Sequence, residues 1–149
     1  MMVKGVSLIL SSCDHALNPS VMRAVGSQVE DGGRRITAYL SRGQSGQLLG
    51  DIARSGRLAA VFSQPSTHLT VQFKSRRVRM REAVEADRPH LQRYLASMEE
   101  ELVALGYPCE LASAMLAHRL DDLVAVEFTP DEAFDQTPGP RAGQRLEAS

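Results

Sequence analysis

The chain has 149 residues, of which 43% are hydrophobic and 23% are charged, and its formal net charge is −1. This composition is typical of one folded domain and excludes a disordered chain. A net charge so close to zero also argues against a protein that is drawn to nucleic acid or anionic membranes by its overall field.

The N-terminal segment and the cysteines predict a cytoplasmic protein without a membrane segment. The apolar run at residues 6–10 is too short to cross a bilayer, and it lacks the basic flank and cleavage site of a signal peptide. Cys13 and Cys109 stand far apart with no CxxC or Cys/His spacing, so we expect both thiols to be reduced. The four histidines show no ligand pairing, and no metal site is predicted.

Six strands are predicted in the first half of the chain. Asp31-Gly32-Gly33 supplies the positive φ angles of a hairpin between the second and third strands. The apolar run 58–62 predicts that the fourth strand is buried on both faces. The predicted strands cover residues 3–11, 20–29, 34–41, 57–64, 67–74 and 76–83.

Three helices and a returning strand complete the predicted order. A short helix over residues 45–54 has Ser45 as its N-cap and Gly56 at its C-terminus. Asp87 and Pro89 indicate the start of a long helix, which Gly106 ends. A helix over 110–119, a strand over 122–129 and a short edge strand at 133–135 follow.

This order predicts an α+β fold in which a mostly antiparallel sheet of six or seven strands closes toward a barrel. A short inserted helix and a C-terminal helical pair accompany the sheet. We expect the domain to span residues 1–136, because the proline- and glycine-rich segment 137–149 has the composition of an extended tail.

Polar side chains alternate with apolar ones along the fifth and sixth predicted strands. The sixth carries Arg77, Arg79 and Arg81 on one face. If these two strands form a hairpin, their polar faces merge into one positive stripe. Such a stripe is either a solvated outer face or a surface for an anionic ligand or charged partner.

Arg23 and the loop at residues 41–47 are further candidates for binding an anion. Arg23 shares a strand face with Val21 and Val25, so a phosphate, a carboxylate or a water-accessible barrel mouth is needed to satisfy its charge. The loop leads from a strand end into a helix start, where free backbone N–H groups, the helix dipole and Arg42 suit a phosphate. Two glycines and polar residues before a helix also describe an ordinary loop.

Several segments resemble pyridoxamine 5′-phosphate oxidase-like proteins. Residues 18–26 (NPSVMRAVG), Asp31-Gly-Gly and the strand end 39–41 resemble the opening of that family. The similarity continues through three further segments, 48–52 (LLGDI), 56–62 (GRLAAVF) and 65–72 (PSTHLTVQ), and residues 134–143 resemble the end of small relatives in the group.

The resemblance implies a split β-barrel that binds FMN at a homodimer interface. In such proteins an arginine of the second strand, the loop after the third strand and a glutamine of the fifth hold the phosphate and the isoalloxazine. Matched by position, the cofactor-binding residues are Arg23, Ser41, Arg42, Gln44, Ser45, Gln47, His68 and Gln72.

Three departures from the family pattern argue against an authentic pyridoxamine phosphate oxidase. The lysine of the Ser-x-Lys phosphate clamp is missing, Ser75 replaces a usual glycine, and the chain has no tryptophan to grip the pyridoxine. The sequence shows no catalytic constellation, which agrees with an enzyme whose chemistry is supplied by a flavin.

Three functions remain open at this point. The first is an FMN-dependent oxidoreductase with an unknown substrate. The second, favoured by the missing lysine, is a non-catalytic barrel in which FMN is lost or replaced by another phosphate-bearing or planar ligand, such as haem or a deazaflavin. The third is a nucleic-acid or regulatory protein built on the arginines at 76, 77, 79 and 81, but the near-zero charge and 5% aromatic content oppose it.

Overall fold

A computed structural model describes residues 6–147, which form ten strands and three α-helices. Residues 3–5 of the predicted first strand and residues 148–149 of the predicted tail lie outside this range. The strands are β1 (Ser7–Cys13), β2 (Pro19–Arg23), β3 (Gly26–Glu30), β4 (Arg35–Ser41), β5 (Leu58–Ser63), β6 (Thr70–Ser75), β7 (Arg77–Glu82), β8 (Leu123–Thr129), β9 (Glu132–Asp135) and β10 (Arg145–Leu146). The helices are α1 (Gly46–Ser55), α2 (Arg88–Ala104) and α3 (Glu110–Met115).

The strands form two separate antiparallel sheets. One has six strands in the order β10-β9-β6-β5-β1-β2, and the other has four in the order β3-β4-β8-β7. The main core contains Leu8 and Phe62 of the first sheet, Ile36 and Val126 of the second, and Leu48 of α1. The α+β class and the antiparallel pairing are confirmed, and the arrangement agrees with a split barrel. The count of ten strands exceeds the predicted six or seven because β2 and β3 are separate strands, the short strand at 133–135 is present as β9, and the tail adds β10.

The chain passes between the two sheets four times, and three of the joints are short: at residues 24–25, at Arg76 and at residues 130–131. At the first joint, the N–H of Ala24 donates to the carbonyl of Leu8 in one sheet, and the N–H of Val25 donates to Tyr39 in the other, both at 2.9 Å. The predicted strand at residues 20–29 is divided here.

The second joint lies between β6 and β7 and overturns the predicted hairpin. The strand β6 pairs with β5 and β9, whereas β7 pairs with β8 in the other sheet. Only Arg76 separates β6 from β7, which is too short for a hairpin loop. The buried Ser75 fixes the joint by donating its hydroxyl to the carbonyl of Thr129 at 2.7 Å. The polar faces of β6 and β7 therefore do not merge into one stripe.

The prediction that the fourth strand is buried on both faces is also wrong. Leu58, Ala60 and Phe62 are buried, but Ala59 and Val61 are only half-buried. These two point to the outer face of the six-stranded sheet, which the described residues cover only in part.

The helices follow the predicted capping signals. Ser45 occupies the N-cap position of α1, although its hydroxyl makes no capping hydrogen bond among the described residues, and Gly56 ends the helix with a φ of +65°. In α2, the buried residues have helical spacing, among them Leu91 and Met98. The helix α3 is shorter than predicted and leaves Met115 exposed.

The C-terminal segment adds to the six-stranded sheet. The strand β9 is not an edge strand, because it lies between β6 and β10. The chain turns back after β9, and the N–H of Asp135 donates to the carbonyl of Gln144 at 2.9 Å. Residues 137–147 thus fold back on the domain and place β10 at the edge of the sheet.

A buried ionic network, which the sequence did not reveal, anchors the start of α2 on the four-stranded sheet. The carboxylate of Asp87 accepts two hydrogen bonds from the guanidinium of Arg81, at 2.7 and 2.8 Å, and one from the hydroxyl of Tyr39 at 2.7 Å. Arg81 also donates to Glu127 at 2.7 Å. The Arg81 guanidinium holds the pKa of Asp87 well below its usual range, and burial raises the pKa of Tyr39.

Candidate functional site

The outer face of the six-stranded sheet carries a row of residues that crosses all six strands. The strand register places Arg23 of β2 beside Ile9 of β1. It then places Ile9 beside Val61 of β5, and Val61 beside Gln72 of β6. We refer to this set as the Arg23–Gln72 row, and its members are Arg23, Ile9, Val61, Gln72, Phe134 and Arg145. Arg23 and Gln72 lie three strand spacings apart, which is about 14 Å.

Arg23 has an exposed guanidinium on this face. Its Nη1 donates to the hydroxyl of Ser7 at 2.7 Å, and within residues 6–147 it forms no ion pair. The predicted apolar face shared with Val25 is wrong, because β2 ends at Arg23 and Val25 enters the other sheet. Val21, on the same face as Arg23, is itself 57% exposed. The sequence left three ways to satisfy the charge of Arg23: a phosphate, a carboxylate or access to water. The exposed position of Arg23 shows access to water.

Gln72 lies half-buried in the row, and His68 lies outside the strands. The side-chain oxygen of Gln72 accepts from the amide of Gln136 at 3.3 Å. His68 was predicted on the fifth strand, but it lies in the exposed loop between β5 and β6, with a φ of +61°. The sheet register thus places Gln72, but not His68, in the same row as Arg23.

In the loop after β4, two donors are engaged by one carboxylate, that of Asp122. The hydroxyl of Ser41 donates to Asp122 at 2.6 Å, and the N–H of Gly43 donates to it at 3.2 Å. The guanidinium of Arg42 is paired with Glu82 at 3.1 Å. A carboxylate therefore already contacts the loop where a phosphate was predicted, and sequence reasoning missed Asp122.

Ser45, at the start of α1, has a different environment. It is 1% exposed, and its hydroxyl has no hydrogen-bond partner among the described residues. Gln44, beside it, is exposed. Gln47 is directed along the helix to Asp51, whose pKa is lowered mainly by the hydrogen bond that it accepts from the hydroxyl of Ser20. Of the predicted loop residues, only Ser45 combines burial with an unused hydroxyl.

Within residues 6–147, no group of three or more potential ligands (histidine, cysteine, aspartate or glutamate) is arranged to hold a metal ion. None of the helices in the described part of the chain has the length and apolar character needed to span a bilayer.

Comparisons with known proteins agree on the fold. No protein-family model matches the chain, and no curated protein matches it. Among solved structures, it is similar to a pyridoxamine 5′-phosphate oxidase-related, FMN binding protein from Nostoc punctiforme PCC 73102. The two share 8% identity with a TM-score of 0.51, over 95% of this chain and 87% of that chain.

Two other solved structures are equally similar. An F420 reductase shares 10% identity with a TM-score of 0.56, over 87% of this chain and 90% of that one. HupZ of Group A Streptococcus shares 12% identity with a TM-score of 0.54, over 93% and 90% of the two chains. The chain has the fold of pyridoxamine 5′-phosphate oxidase-related proteins. The resemblance seen in the sequence is thereby confirmed at the level of the fold.

Proposed function

We propose that this protein is an FMN-binding flavoprotein that acts as an oxidoreductase. The observation that carries the proposal is the Arg23–Gln72 row, where an exposed arginine that has no carboxylate partner within residues 6–147 shares a sheet face with a glutamine. The fold is shared with a protein described as FMN binding and with a reductase of the deazaflavin F420, which supports a flavin as the ligand.

The residues of the row fit the parts of FMN. Arg23 offers the guanidinium that a phosphate prefers, and Gln72 offers an amide for the polar edge of the isoalloxazine ring. Ile9 and Val61, between them, provide an apolar surface for the ring. When bound, FMN supplies the hydride or electron transfer, while these residues supply position and electrostatics.

At the start of α1, the hydroxyl of Ser45 is the one group that suits a hydrogen bond to an oxygen of the ligand. The buried hydroxyl of Ser45 has no partner in the described part of the chain and lies at the positive end of a helix dipole. Ser41 and Gly43 do not fit a phosphate, because they already donate to Asp122. We therefore assign the phosphate to Arg23, with Ser45 as the only candidate in the loop.

A homodimer belongs to this proposal. Val21 is 57% exposed, and Ile9, Ala59 and Val61 are half-buried on the same outer face. An apolar surface of this kind, interrupted by polar groups, suits a second copy that would cover it and enclose the flavin. Light scattering should give twice the mass of the chain, and a monomer at micromolar concentration would contradict the dimer.

The flavin proposal is tested by titrating the purified protein with FMN and following its visible absorption. We expect saturable uptake with flavin bands at ~370 and ~450 nm. Replacing Arg23 by alanine should weaken FMN binding at least tenfold. The matched control is Arg79→Ala, which removes an exposed arginine from the other sheet and should leave the affinity unchanged. Equal affinity in all three proteins would overturn the assignment of the phosphate.

The second candidate is a non-catalytic barrel that holds another planar ligand. It is favoured by Asp122, because its carboxylate contacts the loop where an FMN phosphate was expected. Titration with haem and with a deazaflavin distinguishes the two functions. Saturable binding of one of these, combined with no uptake of FMN, would support the second function and exclude the first.

A further inference from the structure

A groove opens at one end of the strands of the six-stranded sheet, where β1 and β6 end and where β5 and β9 begin. Its volume is about 410 Å³, which lies within the range of small-molecule sites. It is lined by Ser11, Ser12, Cys13, Arg57, Leu58, Ala59, Lys74, Ser75, Arg76, Asp131 and Glu132.

Three positive side chains line this groove: Arg57, Lys74 and Arg76. In the part of the chain that the structure describes, none of them forms an ion pair within 4.0 Å. The ammonium of Lys74 lies 4.9 Å from the ring centroid of Phe134, a contact that leaves its charge uncompensated.

The two carboxylates of the groove are engaged by other positive groups. Asp131 accepts from the guanidinium of Arg77 at 3.0 Å and from the backbone N–H of Arg76 at 2.6 Å. Glu132 lies 3.7 Å from the guanidinium of Arg145. Because Arg77 and Arg145 already compensate these carboxylates, the groove keeps an excess of positive charge.

We propose that this groove binds the oxyanion of a small molecule, either a carboxylate or a phosphate group. Arg57 and Arg76 offer forked N–H donors suited to two oxygens, Lys74 adds a charge, and the apolar Ala59 lines the groove beside them.

The groove lies next to the surface where we propose that the flavin binds. Ala59 and Lys74 stand two residues from Val61 and Gln72 on the same strands and the same face, about 7 Å along the sheet. The groove therefore adjoins the Arg23–Gln72 row, where it would hold the acid group of a substrate. This substrate role depends on the proposed flavin function, whereas oxyanion binding does not.

The test is calorimetric titration with two probes, succinate and inorganic phosphate, used separately. The groove variant is Arg57→Gln with Arg76→Gln. The matched control is Arg34→Gln with Arg93→Gln, which removes the same charge at exposed arginines outside the groove. We expect saturable binding of at least one probe by the wild-type protein and the control, and at least tenfold weaker binding by the groove variant.

Each outcome of this test has a defined meaning. Binding of succinate alone identifies a carboxylate site, and binding of phosphate alone identifies a phosphate site. No saturable binding of either probe by the wild-type protein, or equal affinity of the groove variant and the control, would overturn the proposal. A circular dichroism spectrum and a melting curve for each variant show whether a loss arises from unfolding.

The Arg23→Ala variant separates this inference from the proposed function. It should lose FMN affinity while keeping the affinity for the oxyanion probe. A protein that binds the probe but not FMN would retain the groove and refute the flavin. A protein that binds FMN but neither probe would retain the flavin and refute the groove.

Discussion

The outer faces of both sheets carry positive side chains, but the two faces differ in how many of these side chains are paired with carboxylates. On the four-stranded sheet, the arginines of β7 have carboxylate partners: Arg77 pairs with Asp131, and Arg79 and Arg81 pair with Glu127. On the six-stranded sheet, Arg23 and Lys74 have no ion pair among the described residues.

This difference separates positive charges that are already paired with carboxylates from those that are available to a ligand. A paired arginine is neutralised where it stands, whereas an unpaired one keeps its donors free for an anion. The comparison also weakens the nucleic-acid hypothesis, because Arg77, Arg79 and Arg81 already have carboxylate partners. Four experiments follow, from the largest expected effect on stability to the smallest.

Replacing Asp87 by alanine should have the largest effect on stability. The change leaves the partly buried guanidinium of Arg81 without its main partner and removes the acceptor of the Tyr39 hydroxyl. We expect a loss of about 3 kcal/mol in the free energy of unfolding, measured with urea. Asp121→Ala, which removes an exposed partner of Arg119, is the control and should not move the midpoint. A comparably small shift for Asp87→Ala would mean that the network does not stabilise the fold.

The same network predicts how stability depends on pH. The folded-state pKa of Asp87 lies below its ordinary value of 3.8. Its contribution is therefore fully present above that ordinary value and is lost as the pH falls through the lower folded-state pKa. The urea midpoint of the wild-type protein should decline below about pH 4. In Asp87→Asn the decline should be shallower, and parallel curves for the two proteins would contradict this assignment.

Gly26→Ala tests how closely α2 packs on the four-stranded sheet. An added Cβ would lie 2.6 Å from the side chain of Leu91 and 3.3 Å from the ring of Tyr39. Both neighbours are buried, so the contact cannot be relieved without repacking. We expect a loss of about 1–3 kcal/mol in the free energy of unfolding. Gly46→Ala is a suitable control, because nothing lies within 4 Å of its Cβ position. A stability unchanged by Gly26→Ala would show that this packing is loose.

The smallest effects on stability are expected for the exposed arginines of the two faces. Arg79→Ala and Arg23→Ala should each change the free energy of unfolding by less than about 0.5 kcal/mol. Arg79 is 78% exposed and 3.7 Å from Glu127, and Arg23 donates only to the hydroxyl of Ser7. A loss of 2 kcal/mol or so for Arg23→Ala would indicate a structural role and remove its assignment as a ligand group.

Local signals in the sequence were sufficient for most of the elements. The caps Ser45 and Gly56 delimit α1, and the spacing of Leu91, Tyr94 and Met98 identifies the buried side of α2. The joints between the sheets could not be predicted, because alternation along β6 and β7 is the same whether the strands form a hairpin or belong to different sheets.

The candidate site depends on contacts between residues that are distant in the sequence. Arg23 and Gln72 were each singled out, but only the pairing of four strands places them in one row. Asp122 lies 81 positions after Ser41, and no local pattern connects the two. Likewise, the sequence could not show that the side chains of Arg57 and Arg76 lie in one groove and form no ion pair among residues 6–147.

The joint after β2 has a consequence for how the protein unfolds. Ala24 and Val25 are neighbours in the chain, yet their amides belong to different sheets. Moving the sheets apart would break at least one of these two hydrogen bonds, and it would also break the one that the hydroxyl of Ser75 in β6 donates to Thr129 in β8. The two sheets should therefore unfold in a single cooperative transition, with the amide hydrogens of Ala24 and Val25 exchanging at the same, slow rate.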